Sequence, residues 1–441
     1  MSNELKPLHF DADYTMEEAL AEAKRCLNCP KPLCRMGCPI ENEIPRFIQA
    51  IARGNFGEAN DILAERTNLP SICGRVCPRE NQCEGNCIMN KAKKPPINIG
   101  KLERFAADFE SINELRKPKK IKQDLGKVAV VGSGPAGLSV AGDVAKLGYE
   151  VTVFEGQSEP GGVLLFGIPE FRLSKAVVRR EIARLEGLGV KFVCNTFIGQ
   201  DKTLDDLFAE GYDSIFIGTG THIPQDVRME NDEVPGVFQA MYLLTNVQLV
   251  ENGELDENQI PVKKGDRVII IGGGNVAMDA ARTCVRLGCE AVTVAYRRSQ
   301  EQMPALLSEY EEARAEGVQF QWFASPVGVE GTDKVEGFKY EVMALNEDGA
   351  GIHGTGNFQV MPVDKIIIAA GHKPNARLVG EGNNLKVDEK GYIITSEEPY
   401  GMTSRDGVFA GGDVVHKPAT VVLAMREAKK AVDGMVKYME I

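Results

Sequence analysis

The chain has 441 residues, enough for two to four domains each with its own core. It is 43% hydrophobic and 26% charged, the composition of an ordinary globular protein. Its formal net charge of -12 argues against nucleic acid as a partner, because phosphate binding needs a positive field. Met1 to Phe10 shows no basic stretch followed by an apolar one, and no later run of about 18 apolar residues could span a bilayer, so a cytoplasmic protein is expected.

Charge divides the chain unevenly. Residues 1–125 hold 20 Lys and Arg against 18 Asp and Glu, leaving 31 against 45 for the remainder. Near that boundary, Arg116-Lys117-Pro118-Lys119-Lys120-Ile121-Lys122 reads as an exposed linker rather than a partner-docking patch.

From the amino terminus, Thr15 with Glu18 three residues on predicts a capped helix that leads to the first cysteine. Helical periodicity over Ile44 to Arg53 and Phe56 to Arg66 is broken by Gly54, which predicts a small α-helical module. Eight of the eleven cysteines lie in it. The first group is Cys26, Cys29, Cys34 and Cys38-Pro39, and the second is Cys73, Cys77-Pro78, Cys83 and Cys87. In a reducing compartment such a cluster predicts metal binding rather than disulfides. Soft thiolates suit iron–sulfur clusters or zinc, and two four-iron clusters are the preferred reading over two structural zinc sites. Eight cysteines fill eight ligand positions in the simplest count.

After the linker, strand, glycine turn and helix alternate. Lys127 to Val131, a helix to Leu147 and Glu150 to Phe154 form one βαβ unit; Asp266 to Ile271, a helix to Leu287 and Ala291 to Ala295 repeat it. In the first, Gly132, Gly134, Pro135, Ala136 and Gly137 stand between strand and helix, where backbone amides receive a pyrophosphate. Glu155, at the end of the second strand, is placed to accept a hydrogen bond from an adenosine ribose. The second unit has Gly272, Gly274, Asn275 and Val276, and its second strand ends in Arg297 and Arg298. Two guanidinium groups in place of a carboxylate predict a 2′-phosphate, hence NADPH.

Gly407 to Val414 resembles the second FAD motif of two-dinucleotide-binding flavoproteins, with Gly411 and Asp413 at the flavin. Ser214 to Gly220 and Lys365 to Gly371 resemble that family's domain crossings. No redox CxxC adjoins either nucleotide, and Cys194, Cys284 and Cys289 are expected as small core residues. The five histidines show no ligand spacing and receive no role.

Taken together, Cys26 to Cys38, Ile72 to Pro78, Gln82 to Cys87, Ile97 to Phe105, Gly161-Gly162, Gly167 to Leu173 and Tyr296 to Ser299 with Met303-Pro304-Ala305 resemble the glutamate synthase small subunit nearly end to end. They are similar also to the large subunit of NADH-dependent reduced ferredoxin:NADP oxidoreductase and the amino-terminal half of dihydropyrimidine dehydrogenase. The resemblance implies an α/β two-dinucleotide-binding flavoprotein whose NADPH domain is inserted in its FAD domain, behind an α-helical iron–sulfur domain. The expected divisions are 1–122 for two 4Fe-4S clusters, 126–224 and 372–441 for FAD, and 225–371 for NADPH.

By the same resemblance, one cluster would take Cys26, Cys29, Cys34 and Cys87, the other Cys38, Cys77, Cys83 and Glu103, which leaves Cys73 spare. Gly162 and Thr420 would join the FAD contacts. The implied activity is an NAD(P)H oxidoreductase subunit that passes electrons through FAD and clusters to a redox partner subunit, of the glutamate synthase large-subunit type. The tail after Asp413 resembles related bifurcating transhydrogenases as much, with a flavoprotein or ferredoxin as partner, and electron input to a dihydropyrimidine-dehydrogenase-type reductase stays open. No acid or base catalyst is assigned.

Overall fold

A computed structural model describes residues 14–112, 121–225, 227–347, 351–374, 385–417 and 420–440. Most of the basic linker, 116–120, lies outside them. The chain forms two compact units: one comprises Phe166–Pro169 and Pro224–His372, the other Asp11–Leu165, Glu170–Ile223 and Lys373–Ile441. The larger unit is thus interrupted by the smaller.

The larger unit opens with short helices. In α1 (Met16–Lys24) the Thr15 side chain accepts from the Glu18 amide and Glu18 accepts from the Thr15 amide, so two otherwise orphaned donors are satisfied. α2 (Ile44–Ala52) turns Phe47, Ile48 and Ile51 into a core shared with α3 (Phe56–Ala64) and with α5 (Ile99–Ile112). Each such side chain contributes about 1.5–3 kcal/mol by burial. Between them, α4 (Pro70–Val76) crosses α5 so closely that a methyl group on Gly74 would stand 2.7 Å from the Arg104 amide nitrogen. That approach requires glycine, and it sets the Cys73 to Cys77 segment beside Glu103.

The rest of this unit is an open parallel sheet. β1 (Lys127–Val131) leads into α6 (Pro135–Leu147), then β2 (Glu150–Phe154), α7 (Lys175–Gly187), β3 (Lys191–Val193) and β4 (Ser214–Ile217). The late strand Val408–Ala410 pairs with β4, so the order across the sheet is Val408–Ala410, β4, β1, β2, β3, all parallel. Continuous Val and Ala after Lys127 in β1 fit a strand covered on both faces. The C-terminal helix Val421–Met439 packs against α6.

The smaller unit repeats the plan. β5 (Val237–Gln239), β6 (Arg267–Ile271), β7 (Ala291–Tyr296) and β8 (Gln319–Trp322) join β12 (Lys365–Ile368) in a parallel sheet of order β5, β12, β6, β7, β8. α8 (Asn275–Arg286) and α9 (Leu307–Ala315) flank it. A separate antiparallel sheet comprises β9 (Ala324–Glu330), β10 (Gly337–Leu345) and β11 (Ile352–Pro362). Buried Arg282 on α8 is held by Glu309, Glu312 and Glu316, an ion cluster with no local sequence signature.

Candidate functional site

The cysteines separate into two cavities. Cys26, Cys29, Cys34 and Cys87 line the first, whose remaining wall includes Ile44, Ile48, Ile97 and Ile99. Cys38, Cys73, Cys77, Cys83 and Glu103 line the second, together with Arg79, Ile99 and Val422 of the C-terminal helix. Burial pushes the Cys34 and Cys38 thiols up to about 11 and raises Cys26. Cys77 is held up by its hydrogen bond to Cys73 and by burial, and Cys83 chiefly by burial. A bound cation would have to displace these protons, which couples ligation to folding.

The nearby backbone amides of Asn28 and Arg35 favour the thiolate forms of Cys26 and Cys34 against burial, and those of Asn42 and Ile40 do so for Cys38. Such donors tune a ligated thiolate. Glu103 is 9% exposed, its Oε1 has no hydrogen-bond partner, and burial pushes its carboxyl up to about 8. An unpartnered buried carboxyl costs about 1–3 kcal/mol unless something binds it. Among the described residues no three His, Cys, Asp or Glu side chains converge on a single-ion site. A structural zinc needs four ligands around one point, whereas a four-iron cube needs spaced donors around a cavity. The residues present fit the cluster.

Cys73 adds a fifth donor to the second cavity. Its sulfur lies 3.8 Å from Thr67 Oγ1 and 3.7 Å from Met425 Sδ on the C-terminal helix. Further bonds tie the helical module to the first sheet. Asn68 Nδ2 donates to the Ser139 carbonyl (3.1 Å) and to Asp143 Oδ1 (2.8 Å), and Lys146 Nζ donates to the Ala64 carbonyl. Asp108 on α5 receives Arg75 at 2.6 Å and Arg180 of α7 at 2.5 Å. None of these pairings is signalled by spacing in the chain.

At the carboxyl ends of the first sheet's strands, Gly134 caps α6 with no side chain over its amides, and open space lies before its Cα. A methyl group on Gly137 would be 1.9 Å from the Gly132 carbonyl oxygen, so only glycine lets the helix start this close to the strand. Pro135 and Ala136 begin that helix. Glu155 is engaged within the protein: Oε2 accepts from the Ser133 amide and hydroxyl, and Oε1 from the Gln157 amide at 2.9 Å. Ser133 Oγ in turn accepts from the Gly161 amide. Sequence reasoning missed Ser133, although it stands inside the glycine motif. A two-oxygen carboxylate keeps acceptor capacity beyond these bonds.

A methyl on Gly162 would meet Gly134 Cα at 2.9 Å, so the Gly161-Gly162 turn lies against the α6 N-terminus. Gly411 and Asp413 follow the Val408–Ala410 strand at the same end of the sheet. Asp413 has no hydrogen bond or ion pair among the described residues, and burial pushes its carboxyl up to about 6. Thr420 caps the C-terminal helix by accepting from the Leu423 amide.

In the smaller unit, Gly272 to Gly274 lead to Asn275 and Val276 at the start of α8. Asn275 Oδ1 accepts from the Leu306 amide and the Gly273 carbonyl from that of Ala305, which fixes the Met303 to Ala305 loop against the glycine turn. Arg297 and Arg298 are exposed just past β7 and form no ion pair among the described residues. Cys284 is buried, with Cys289 packed beside it; Cys194 is half-buried.

Two glycine-turn sheets and a helical module of cysteine-lined cavities define a flavin and iron–sulfur oxidoreductase. Residues 6–115 match the family described as dihydropyrimidine dehydrogenase domain II, 4Fe-4S cluster, and residues 126–428 match pyridine nucleotide-disulphide oxidoreductase. The chain is 37% identical to the glutamate synthase [NADPH] small chain of Escherichia coli over 96% of its own length and 92% of that protein. It is 33% identical to the NAD-dependent dihydropyrimidine dehydrogenase subunit PreT of the same species, over 97% and 96%. FprA, a Mycobacterium tuberculosis oxidoreductase, shares the fold with a TM-score of 0.60 at 19% identity, over 71% of this chain and 85% of that one. The chain belongs to the glutamate synthase small-chain family of NAD(P)H-dependent oxidoreductases. Its cofactors are FAD, NADPH and 4Fe-4S clusters. Among the described residues no helix is long and apolar enough to cross a membrane.

Proposed function

We propose that this protein is the electron-input subunit of a cytoplasmic glutamate-synthase-type enzyme, moving electrons between NADPH and a large-subunit partner. The observation that carries the reading is the pair of cysteine-lined cavities, the second of which includes Val422 and, through Cys73, touches Met425 of a helix that also packs against the α6 side of the first sheet.

In this reading Gly272, Gly274, Asn275 and Val276 receive the NADPH pyrophosphate at the start of α8, and Arg297 and Arg298 grip its 2′-phosphate. Gly132, Gly134, Pro135, Ala136, Gly137 and Gly162 cradle the FAD pyrophosphate. Glu155, already oriented by Ser133 and Gln157, accepts from the ribose. Gly411, Asp413 and Thr420 line the flavin end. Cys26, Cys29, Cys34 and Cys87 hold one cluster, and Cys38, Cys77, Cys83 and Glu103 the other. The domains follow as 1–122 for the clusters, 126–224 with 372–441 for FAD, and 225–371 for NADPH. Once bound, the flavin accepts hydride and the clusters carry single electrons. The chain's own part is to hold these groups, exclude water through the apolar cavity walls and set cluster potential through Glu103 and the amides facing the sulfurs.

Anaerobic addition of NADPH should bleach the flavin, and cluster signals should appear by electron paramagnetic resonance when a low-potential donor follows. Flavin that stays oxidised would remove the reading. The 33% identity to PreT supports a second one, electron input to a dihydropyrimidine dehydrogenase. Identification of the subunit that co-purifies separates the two.

A further inference from the structure

We infer that the surface around the first cysteine cavity is the docking face for an acidic electron-transfer protein, an inference that rests on the electron path proposed above. The two segments that carry this cavity's cysteines, 23–40 and 86–98, contain seven Lys and Arg and no Asp or Glu, in a chain of net charge -12. Arg25 and Arg35 are taken up by Glu22 and Glu43. Lys24, Lys31, Lys91, Lys93 and Lys94 are exposed, and their ammonium groups form no ion pair or hydrogen bond among the described residues. Five uncompensated charges on two short segments make a local positive field that the protein does not use internally.

Apolar side chains stand beside these lysines in the chain. Leu27 and Ile88 line the cavity and are 63% and 39% exposed, and Met36, between Cys34 and Cys38, is 76% exposed. The second cavity differs, since its wall includes a residue of the C-terminal helix. An apolar spot at the redox cavity shortens the path to a partner's centre and excludes water from the contact. The lysines steer and orient an acidic protein without large cost in buried charge. The rest of this chain is acidic too, so a second copy is a competing occupant that the test must separate.

The test uses the full-length holoprotein and two one-electron protein partners of opposite charge, an acidic ferredoxin and a basic cytochrome c. In Lys31→Glu/Lys93→Glu/Lys94→Glu, kcat/KM for oxidising reduced ferredoxin with NADP+ should fall about tenfold or more at low salt. NADPH-driven cytochrome c reduction should rise, and flavin bleaching by NADPH should be unchanged. The fall with ferredoxin should shrink in 0.5 M salt, where the screening length is only about 4 Å. The control Lys334→Glu should behave as the unsubstituted protein. Unaltered kcat/KM with both partners, in protein whose clusters still reduce, overturns the docking face. Failure of NADPH to bleach the flavin of the unsubstituted protein defeats the electron path itself, a separately visible result, whereas bleached flavin with clusters that take no electrons from reduced ferredoxin overturns the docking face. A dimer by sedimentation that the triple variant converts to monomer assigns the face to a second copy and also overturns the proposal.

Discussion

Glu103 is a carboxyl held without a partner among four cysteines, and its neighbours fix what each substitution should do. Glu103→Gln keeps an oxygen donor but removes a negative charge, so the second cluster should be retained with a raised reduction potential, read by redox-titrated electron paramagnetic resonance. In Glu103→Ala only Cys73 remains to complete the set, and iron content together with potential should change. An unchanged potential at full iron content would exclude Glu103 as a ligand. Asp413 makes a pH prediction. Its folded-state value of about 6 is above the ordinary 3.8, so the folded protein binds this proton more tightly than the unfolded chain. The stabilisation is full below about pH 4 and is lost as pH rises through 6. Asp413→Asn should therefore stabilise the flavin-free protein at pH 7.5 by at most about 2–3 kcal/mol, and the gain should vanish at pH 4. Urea unfolding at the two pH values checks this.

The elements differ in how far they depend on distant parts of the chain. The Thr15 to Glu18 capping box was legible because both partners lie within one turn, and Thr15→Ala should cost about 1 kcal/mol in chemical denaturation. The glycine turn before α6 was legible for the same reason, since strand end, turn and helix start are contiguous. Gly137→Ala forces a methyl into the Gly132 carbonyl, so purified protein should contain far less flavin per chain while NADPH binding at the other turn persists, measured by absorbance and titration calorimetry. The role of Ser133 was not legible, because its bond to Glu155 spans a helix and a strand.

In the whole molecule, the helical module is held to the first sheet by Asn68 and by the Asp108 ion pairs. Asp108→Ala removes the carboxylate shared by the partly buried Arg75, Arg104 and Arg180 and should destabilise by about 3 kcal/mol. It should also slow electron passage from flavin to clusters while leaving flavin reduction by NADPH intact, seen by stopped-flow absorbance. The sequence by itself determined the two βαβ units, the dinucleotide turns and the existence of a cysteine-rich helical module, because each is written in periodicity or spacing over a few dozen residues. The family resemblance already implied that Cys87 goes with Cys26, Cys29 and Cys34 and Glu103 with Cys38, Cys77 and Cys83; only the tertiary structure decided that these sets line two separate cavities and that Cys73 stands in the second. That division depends on α4 crossing α5 at Gly74 and on the C-terminal helix closing against them, contacts between segments as much as 352 residues apart.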